Sequence, residues 1–302
     1  MDAEMLASAL RMSTPVLLAA LAGLWSERSG VVNIGLEGMM IIGSFWGAYG
    51  SYAYGPFWGL LFGMVAGLLL AAIHAVATVK YKVDHVVSGV ALNILALGLT
   101  RFLCIKIFNQ ATASEHTRAF ATLNIPLLDH IGFLKPLVTK VSPVIILALV
   151  LVPLSSLVLN RTVFGLRLRS VGENPLAADT LGVNVFLMKY AGVLISGALA
   201  GLAGMFLSVE HTGMYVEGMT QGKGYIGLAA MIFGNWNPAG ALGASLLFGF
   251  AEAISIRAVS SVIPYQFIKM IPYALTLAVL AGVVRRAVTP AADGVAYERG
   301  GE

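Results

Sequence analysis

Two polar side chains, Asn33 and Glu37, lie four residues apart in an apolar, glycine-rich segment. This spacing places both on one face of a predicted helix. In a membrane, a charge at the bilayer centre costs about 2.5–3.5 kcal/mol, so a carboxylate there needs a function or a partner. Two interpretations stay open. The face lines or braces a solute path, or Glu37 is a structural group bonded to the N-terminus of a broken helix.

Further along the chain, an Asn-Trp-Asn-Pro sequence at 235–238 predicts a break between two helices, because Pro lacks an N–H and Asn favours turns. Such a break could offer a polar edge and a stacking ring to a neutral solute, or it is a simple turn. Asn93 is another polar candidate, with hydrogen bonding between helices as the alternative. The candidates for solute contact are Asn33, Glu37, Asn93, Asn235, Trp236 and Asn237.

Glu252 and Lys269 flank the predicted loop near 258–263 at similar distances, so an antiparallel helix pair would bring them to similar depth. This predicts an intramembrane ion pair, for which a structural role is favoured over a functional one. The five histidines are scattered without the spacing of metal ligands, and no catalytic constellation is evident. We therefore expect no metal site, and an enzyme is a poor fit.

The elements that position these side chains follow from composition. Of 302 residues, 58% are hydrophobic and 11% are charged, and the mean hydropathy is +0.84. Soluble domains contain roughly 25% charged residues, so the chain is predicted to be an all-α polytopic membrane protein. It forms one domain over 1–302, with about 8–10 transmembrane helices including a short broken or re-entrant segment. The candidate spans are 6–25, 31–50, 57–79, 86–107, 142–160, 188–209, 224–236, 239–257 and 264–284.

The basic residues lie in short loops rather than on one face, which argues against nucleic-acid binding. Clusters at Lys80–Lys82, Arg161–Arg169 and Arg285–Arg286 assign these loops to the cytoplasm. Nine crossings then place the N-terminus outside and the C-terminus inside. Glycines four residues apart, as at Gly197 and Gly201, predict closely packed helices.

The cytoplasmic loop 161–187 contains a short helix marked at both ends. Asn174 suits the N-cap, Pro175 the first helical position, and Gly182 a left-handed C-terminal residue. A two-turn helix is unstable alone in water, so it must rest on another surface. The alternatives are lipid headgroups and a cytoplasmic partner protein.

Several strings together resemble the permeases of ABC transporters. The closest group is the nucleoside and simple-sugar type, within the branched-chain amino acid and ribose permease superfamily. The similarity runs from about residue 10 to 286. It is carried by residues 27–40 (ERSGVVNIGLEGMM), 87–93 (VSGVALN), 164–169 (FGLRLR), 171–175 (VGENP), 232–238 (IFGNWNP) and 263–265 (IPY).

The resemblance implies a transport subunit in the inner membrane of a bacterium or archaeon. It would pair with a second, related permease, with one or more ATPase subunits and with an extracytoplasmic substrate-binding protein, often a lipoprotein in this group. The loop helix would be the coupling helix that seats in the ATPase, formed by Glu173, Asn174, Pro175, Ala178, Asp179 and Gly182. The chain lacks a phosphate-binding loop, so ATP and magnesium would bind to the partner ATPase, and this chain is expected to hold no cofactor.

The scarcity of intramembrane charge favours a small neutral solute over an anion. Among the solutes that the family resemblance implies, nucleosides come first, simple sugars second and branched-chain amino acids third. An alternative of another class is a secondary transporter that uses Glu37 as its coupling group. That alternative leaves the docked cytoplasmic helix unexplained.

Overall fold

The computed structural model describes residues 3–123, 141–257, 270, 274 and 288–298, and these form helices with two isolated β-bridges. The helices are α1 (Ala3–Glu27), α2 (Leu36–Tyr54), α3 (Pro56–Ala75), α4 (His85–Phe108), α5 (Pro143–Arg161), α6 (Val163–Glu173), α7 (Pro175–Thr180), α8 (Val185–Met205), α9 (Lys223–Phe233) and α10 (Pro238–Arg257). Single π-helical turns extend α3 over Val76–Lys80 and α8 over Phe206–His211.

Six helices of the described ranges, α1, α3, α4, α5, α8 and α10, are long and apolar enough to cross a membrane. Helix α2 has 19 residues and is buried over residues 36–45, and α9 is the predicted short segment. The prediction of a polytopic helical membrane protein is confirmed. The last candidate span, 264–284, lies outside the described residues except for positions 270 and 274.

Several contacts between distant segments define one end of the molecule. Lys82, between α3 and α4, pairs with Glu298 near the C-terminus. The Lys189 ammonium at the start of α8 donates to the carbonyls of Gly30 (3.2 Å) and Val295 (3.1 Å). The loops that the basic residues assign to the cytoplasm therefore share this end. At the opposite end, Arg257 pairs with Glu4 at 3.8 Å.

Helices α2, α3 and α8 pack backbone against backbone, as the glycine spacing predicts. A Cβ atom added at Gly67 would lie 2.3 Å from the Gly197 carbonyl oxygen, and one at Gly201 would lie 2.2 Å from that of Gly63. A Cβ at Gly43 would lie 2.5 Å from Gly201. Side chains larger than hydrogen are therefore excluded along this contact.

The break after α9 is also as predicted. Asn235 and Trp236 both have positive φ angles, 53° and 50°, and Pro238 begins α10. The start of α2 differs from the prediction, because that helix begins at Leu36 and residues 31–33 are not helical. Asn33 and Glu37 therefore do not share a helix face.

Candidate translocation path and docking loop

The Glu37 carboxylate caps the N-terminus of the short helix α9. Its Oε1 accepts from the Thr220 hydroxyl (2.5 Å) and the Gly222 N–H (2.8 Å), and its Oε2 accepts from the Gly224 N–H (2.7 Å). A negative charge is stabilised where a helix exposes free N–H groups. Gly224 has no room for a side chain, since an added Cβ would lie 2.6 Å from the Glu37 nitrogen. The geometry thus corresponds to the structural alternative for Glu37.

Asn93 holds α4 against the residues that precede and begin α2. Its Oδ1 accepts from the Gly38 N–H (2.7 Å), and its Nδ2 donates to the Ile34 carbonyl (3.1 Å) and to the Tyr225 hydroxyl (2.9 Å). Asn33 is fully buried and donates to the Ser196 hydroxyl at 3.0 Å. Both side chains therefore brace helices within this chain.

The turn between α9 and α10 is stabilised by Asn235, Trp236 and Asn237, at the end that the basic loops assign to the cytoplasm. Trp236 is only 3% exposed, its indole N–H donates to Glu27 (2.6 Å), and its carbonyl accepts from Arg28 (2.8 Å). The Oδ1 of Asn235 accepts from the Val288 N–H, and that of Asn237 from the Ala239 N–H, both at 2.9 Å. With its ring buried, Trp236 offers no stacking face, which fits the simple-turn alternative.

Glu252 forms an ion pair with Lys223, whose ammonium lies 2.6 Å from the carboxylate. This pair joins α10 to the first residue of α9. Lys269, the predicted partner, lies outside the described residues.

A non-helical segment, residues 212–222, connects α8 to α9 and was not anticipated as a site. Four of its residues have positive φ: Gly213, Gly218, Gln221 and Gly222. Gln221 is exposed, and Tyr225, on the first turn of α9, is 46% exposed. The run of glycines before an apolar stretch is the sequence signal for this irregular entry, but exposure is visible only in the folded chain.

The docking loop, residues 161–187, has the predicted capped helix and a second helix, α6, that the prediction missed. The Oδ1 of Asn174 accepts from the Ala177 N–H (3.0 Å), Pro175 is the first residue of α7, and Gly182 has a φ of 80°. Ala178 is buried, whereas Leu176 (53%) and Leu181 (84%) are exposed. Glu173, the last residue of α6, pairs with Arg28 at 3.9 Å.

The segment 288–298 lies against this loop. The Ala292 N–H donates to the Gly172 carbonyl (2.9 Å), and the Tyr297 ring packs on Phe186 with ring centroids 5.6 Å apart. Burial raises the pKa of Asp293 to about 7. Burial and the nearby Arg169 lower the pKa of Arg28. Within the described residues, no group of three or more His, Cys, Asp or Glu is arranged to hold a metal ion.

Comparison with known proteins identifies the family. Residues 5–280 match the family described as "Branched-chain amino acid transport system / permease component". The chain belongs to this permease family. The expected resemblance to ABC-transporter permeases is thereby confirmed. No solved structure matches the permease.

Three curated relatives cover nearly the whole permease. It is 44% identical to the guanosine ABC transporter permease protein NupQ of Bacillus subtilis, over 95% of this chain and 94% of the relative. It is 43% identical to the nucleoside ABC transporter permease protein NupC of Lactococcus lactis, over 96% and 95%. A putative glucose ABC transporter permease of Haloferax volcanii is 34% identical over 94% and 92%.

The first two organisms each contribute a second, more distant relative. The guanosine permease protein NupP of Bacillus subtilis is 29% identical over 80% of this chain. The nucleoside permease protein NupB of Lactococcus lactis is 21% identical over 97%. Each of these two organisms thus has two related permeases that are named for the same solute.

Proposed function

We propose that this permease is one membrane subunit of an ATP-driven importer of nucleosides in the inner membrane. It supplies a path for the solute and undergoes no covalent chemistry. ATP and magnesium bind to separate ATPase subunits on the cytoplasmic side, and an extracytoplasmic lipoprotein delivers the nucleoside.

The observation that carries the ATP-driven mechanism is helix α7. It has only six residues, which is too short to be stable alone, yet it is capped at both ends and packed through Ala178. Leu176 and Leu181 remain exposed on the end assigned to the cytoplasm. A rigid helix with exposed leucines suits insertion into a groove of a partner protein.

Nucleosides are favoured as solute because the two relatives above 40% identity are named for guanosine or nucleosides. Simple sugars come second, since the putative glucose permease is more distant, and branched-chain amino acids third. The second membrane subunit is proposed to be a related permease rather than a second copy, as the paired relatives suggest.

The first test is uptake by the purified assembly in vesicles. The permease is tagged in its native membrane and purified in mild detergent, and its companion proteins are identified and reconstituted. We expect ATPase subunits and a second permease, with ATP-dependent uptake of guanosine that exceeds uptake of ribose or leucine. Guanosine uptake that continues without ATP would favour a secondary transporter. ATP-dependent uptake of ribose alone would place the solute among the sugars.

Docking is tested by Leu181→Asp, because this leucine is exposed and its replacement leaves the permease core unchanged. We expect at least tenfold weaker capture of the ATPase subunits. The matched change Val83→Asp, in the other cytoplasmic loop, is expected to reduce capture far less. Equal capture by Leu181→Asp and the unmodified permease would remove α7 from the docking surface.

A further inference from the structure

The entry to helix α9 lies near the middle of the membrane. The cytoplasmic end of α9 is fixed by the bonds of Trp236 to Glu27 and Arg28. Tyr225 is eight residues before Phe233, or about 12 Å along a helix axis. Asn93 is eight residues after His85, the first residue of α4. Its side-chain amide donates to the Tyr225 hydroxyl at 2.9 Å. With a hydrocarbon core about 30 Å thick, the pair lies close to half depth.

Irregular backbone at this depth is not tolerated against lipid, since its polar groups would lack hydrogen-bond partners. It occurs only where it is buried in protein or lines a water-filled cavity. Residues 213–217 are covered by the outer segment 112–117, through bonds such as Ser114 N–H to the Tyr215 carbonyl at 3.0 Å. Gly218, Gln221 and Tyr225 stay exposed. Their surface must therefore face water or a second subunit.

The polar side chains exposed where α9 begins, Gln221 and Tyr225, carry no formal charge, and the buried Lys223 is paired with Glu252 at 2.6 Å. Glu37 already accepts the Gly222 and Gly224 N–H groups, so they do not form an anion site. Farther toward the outer end, Arg101 and Glu217 form an ion pair at 3.8 Å, so their charges neutralise each other. A charged solute gains nothing at such a surface, whereas a neutral one with a planar ring meets an exposed aromatic side chain and an amide.

We propose that Tyr225 is a solute-contact residue of the translocation path, stacking on the base of a nucleoside, with Asn93 positioning its hydroxyl. Gln221, four residues earlier, presents an amide that can donate to and accept from a base edge or ribose hydroxyls. This subsite rests on the proposed nucleoside function, and it adds the place in the path where the nucleoside binds. Stacking suits a site through which different nucleosides pass, because every base has a π-face that can stack on the tyrosine ring.

The test replaces the ring in the assembled transporter. Tyr225→Leu is expected to lower guanosine uptake at subsaturating concentration by about tenfold through loss of stacking, and Tyr225→Phe by less than about threefold. Tyr54→Leu changes a tyrosine at the outer end of α2 that is more exposed (61% against 46%) and is expected to leave uptake unchanged. Rates are compared per amount of purified complex. Equal uptake by the Leu and Phe variants would overturn the proposal.

A second measurement uses the unmodified complex. Irradiation with 8-azidoguanosine is expected to label the peptide that contains Gln221 and Tyr225. Labelling elsewhere in the membrane domain, with none on this peptide, would reject the subsite while leaving nucleoside transport intact. If the unmodified complex takes up no nucleoside, the proposed function itself fails, and the two failures are thereby distinguished.

Discussion

At the scale of single residues, the Glu37 carboxylate accepts hydrogen bonds from the segment that leads into α9. Both of its oxygens are used by three donors from residues 220–224, which lie more than 180 positions away in sequence. These bonds hold the irregular segment and the first turn of α9 in place. The Glu37 carboxylate thus fixes the position of the surface that we propose for solute contact.

Replacement of this carboxylate, Glu37→Gln, is expected to destabilise the permease. The amide supplies one acceptor oxygen, and its NH2 group would point at a backbone N–H, leaving a buried donor unsatisfied at about 1–3 kcal/mol. The measurement is the thermal midpoint of unfolding in detergent, which we expect to be lower in Glu37→Gln than in the unmodified permease. Glu173→Gln, at a half-exposed position, serves as the control. A variant with an unchanged midpoint but no transport would restore Glu37 to the solute path.

Asp293 predicts a dependence of stability on pH. Its pKa in the folded protein is about 7, because burial opposes its charge. The folded state therefore holds a proton that the unfolded state has released, and stability falls as pH rises from the ordinary Asp pKa to about 7. Asp293→Asn is expected to raise the thermal midpoint at pH 8 and to change it little at pH 4. A difference that is constant with pH would contradict the assignment.

At the scale of elements, the docking loop is held by packing from three sides. Val171 of α6, Ala178 of α7, and Val185 and Met188 of α8 form one buried cluster with Tyr297. The terminal segment 288–298 therefore completes the support of α7. Through Val288 it also contacts Asn235 in the turn that ends α9. Residues 288–298 thus link helix α7 to the end of helix α9.

Tyr297→Ala is expected to loosen this support. Removal of a buried aromatic ring costs about 3–5 kcal/mol in a packed core, and the cost here falls on the docking loop. We expect weaker ATPase capture and fewer nucleosides moved per ATP hydrolysed. Val295→Ala, at an exposed position of the same segment, is the control. Normal coupling in the alanine variant of Tyr297 would show that the segment is dispensable.

The elements that sequence predicted well are those governed by local rules. Asn174, Pro175 and Gly182 mark the ends of α7 by their own backbone preferences, and Pro238 marks the start of α10. The partner of Glu252 depends on tertiary structure instead. Similar distances across a loop predict Lys269, which lies outside the described residues and leaves that pair a prediction. The partner that the fold shows is Lys223, whose ammonium lies 2.6 Å from the Glu252 carboxylate and belongs to another helix, so sequence spacing could not indicate it. Tyr225 was missed because its exposure follows from the path of residues 212–222.

At the scale of the whole molecule, α2, α3 and α8 form a frame whose contacts are backbone to backbone. We expect Gly201→Ala to disrupt it, because the added methyl would lie 2.2 Å from the Gly63 carbonyl oxygen. Backbone on both sides leaves no flexible side chain to move aside. Gly98→Ala, with nothing within 4 Å of the added atom, is the matched control. The yield of folded protein in size-exclusion chromatography distinguishes the two, and equal yields would refute the frame.

The glycine contacts of this frame also bear on how movement travels through it. Helices separated by side chains can shift by rotamer changes, whereas helices in backbone contact have no such slack. We therefore expect a displacement at the start of α8 to move this helix together with α2 and α3. Regular helical bonding changes only at the π turns Val76–Lys80 and Phe206–His211, at opposite ends of the frame. If these helices move, we expect them to bend at these two turns.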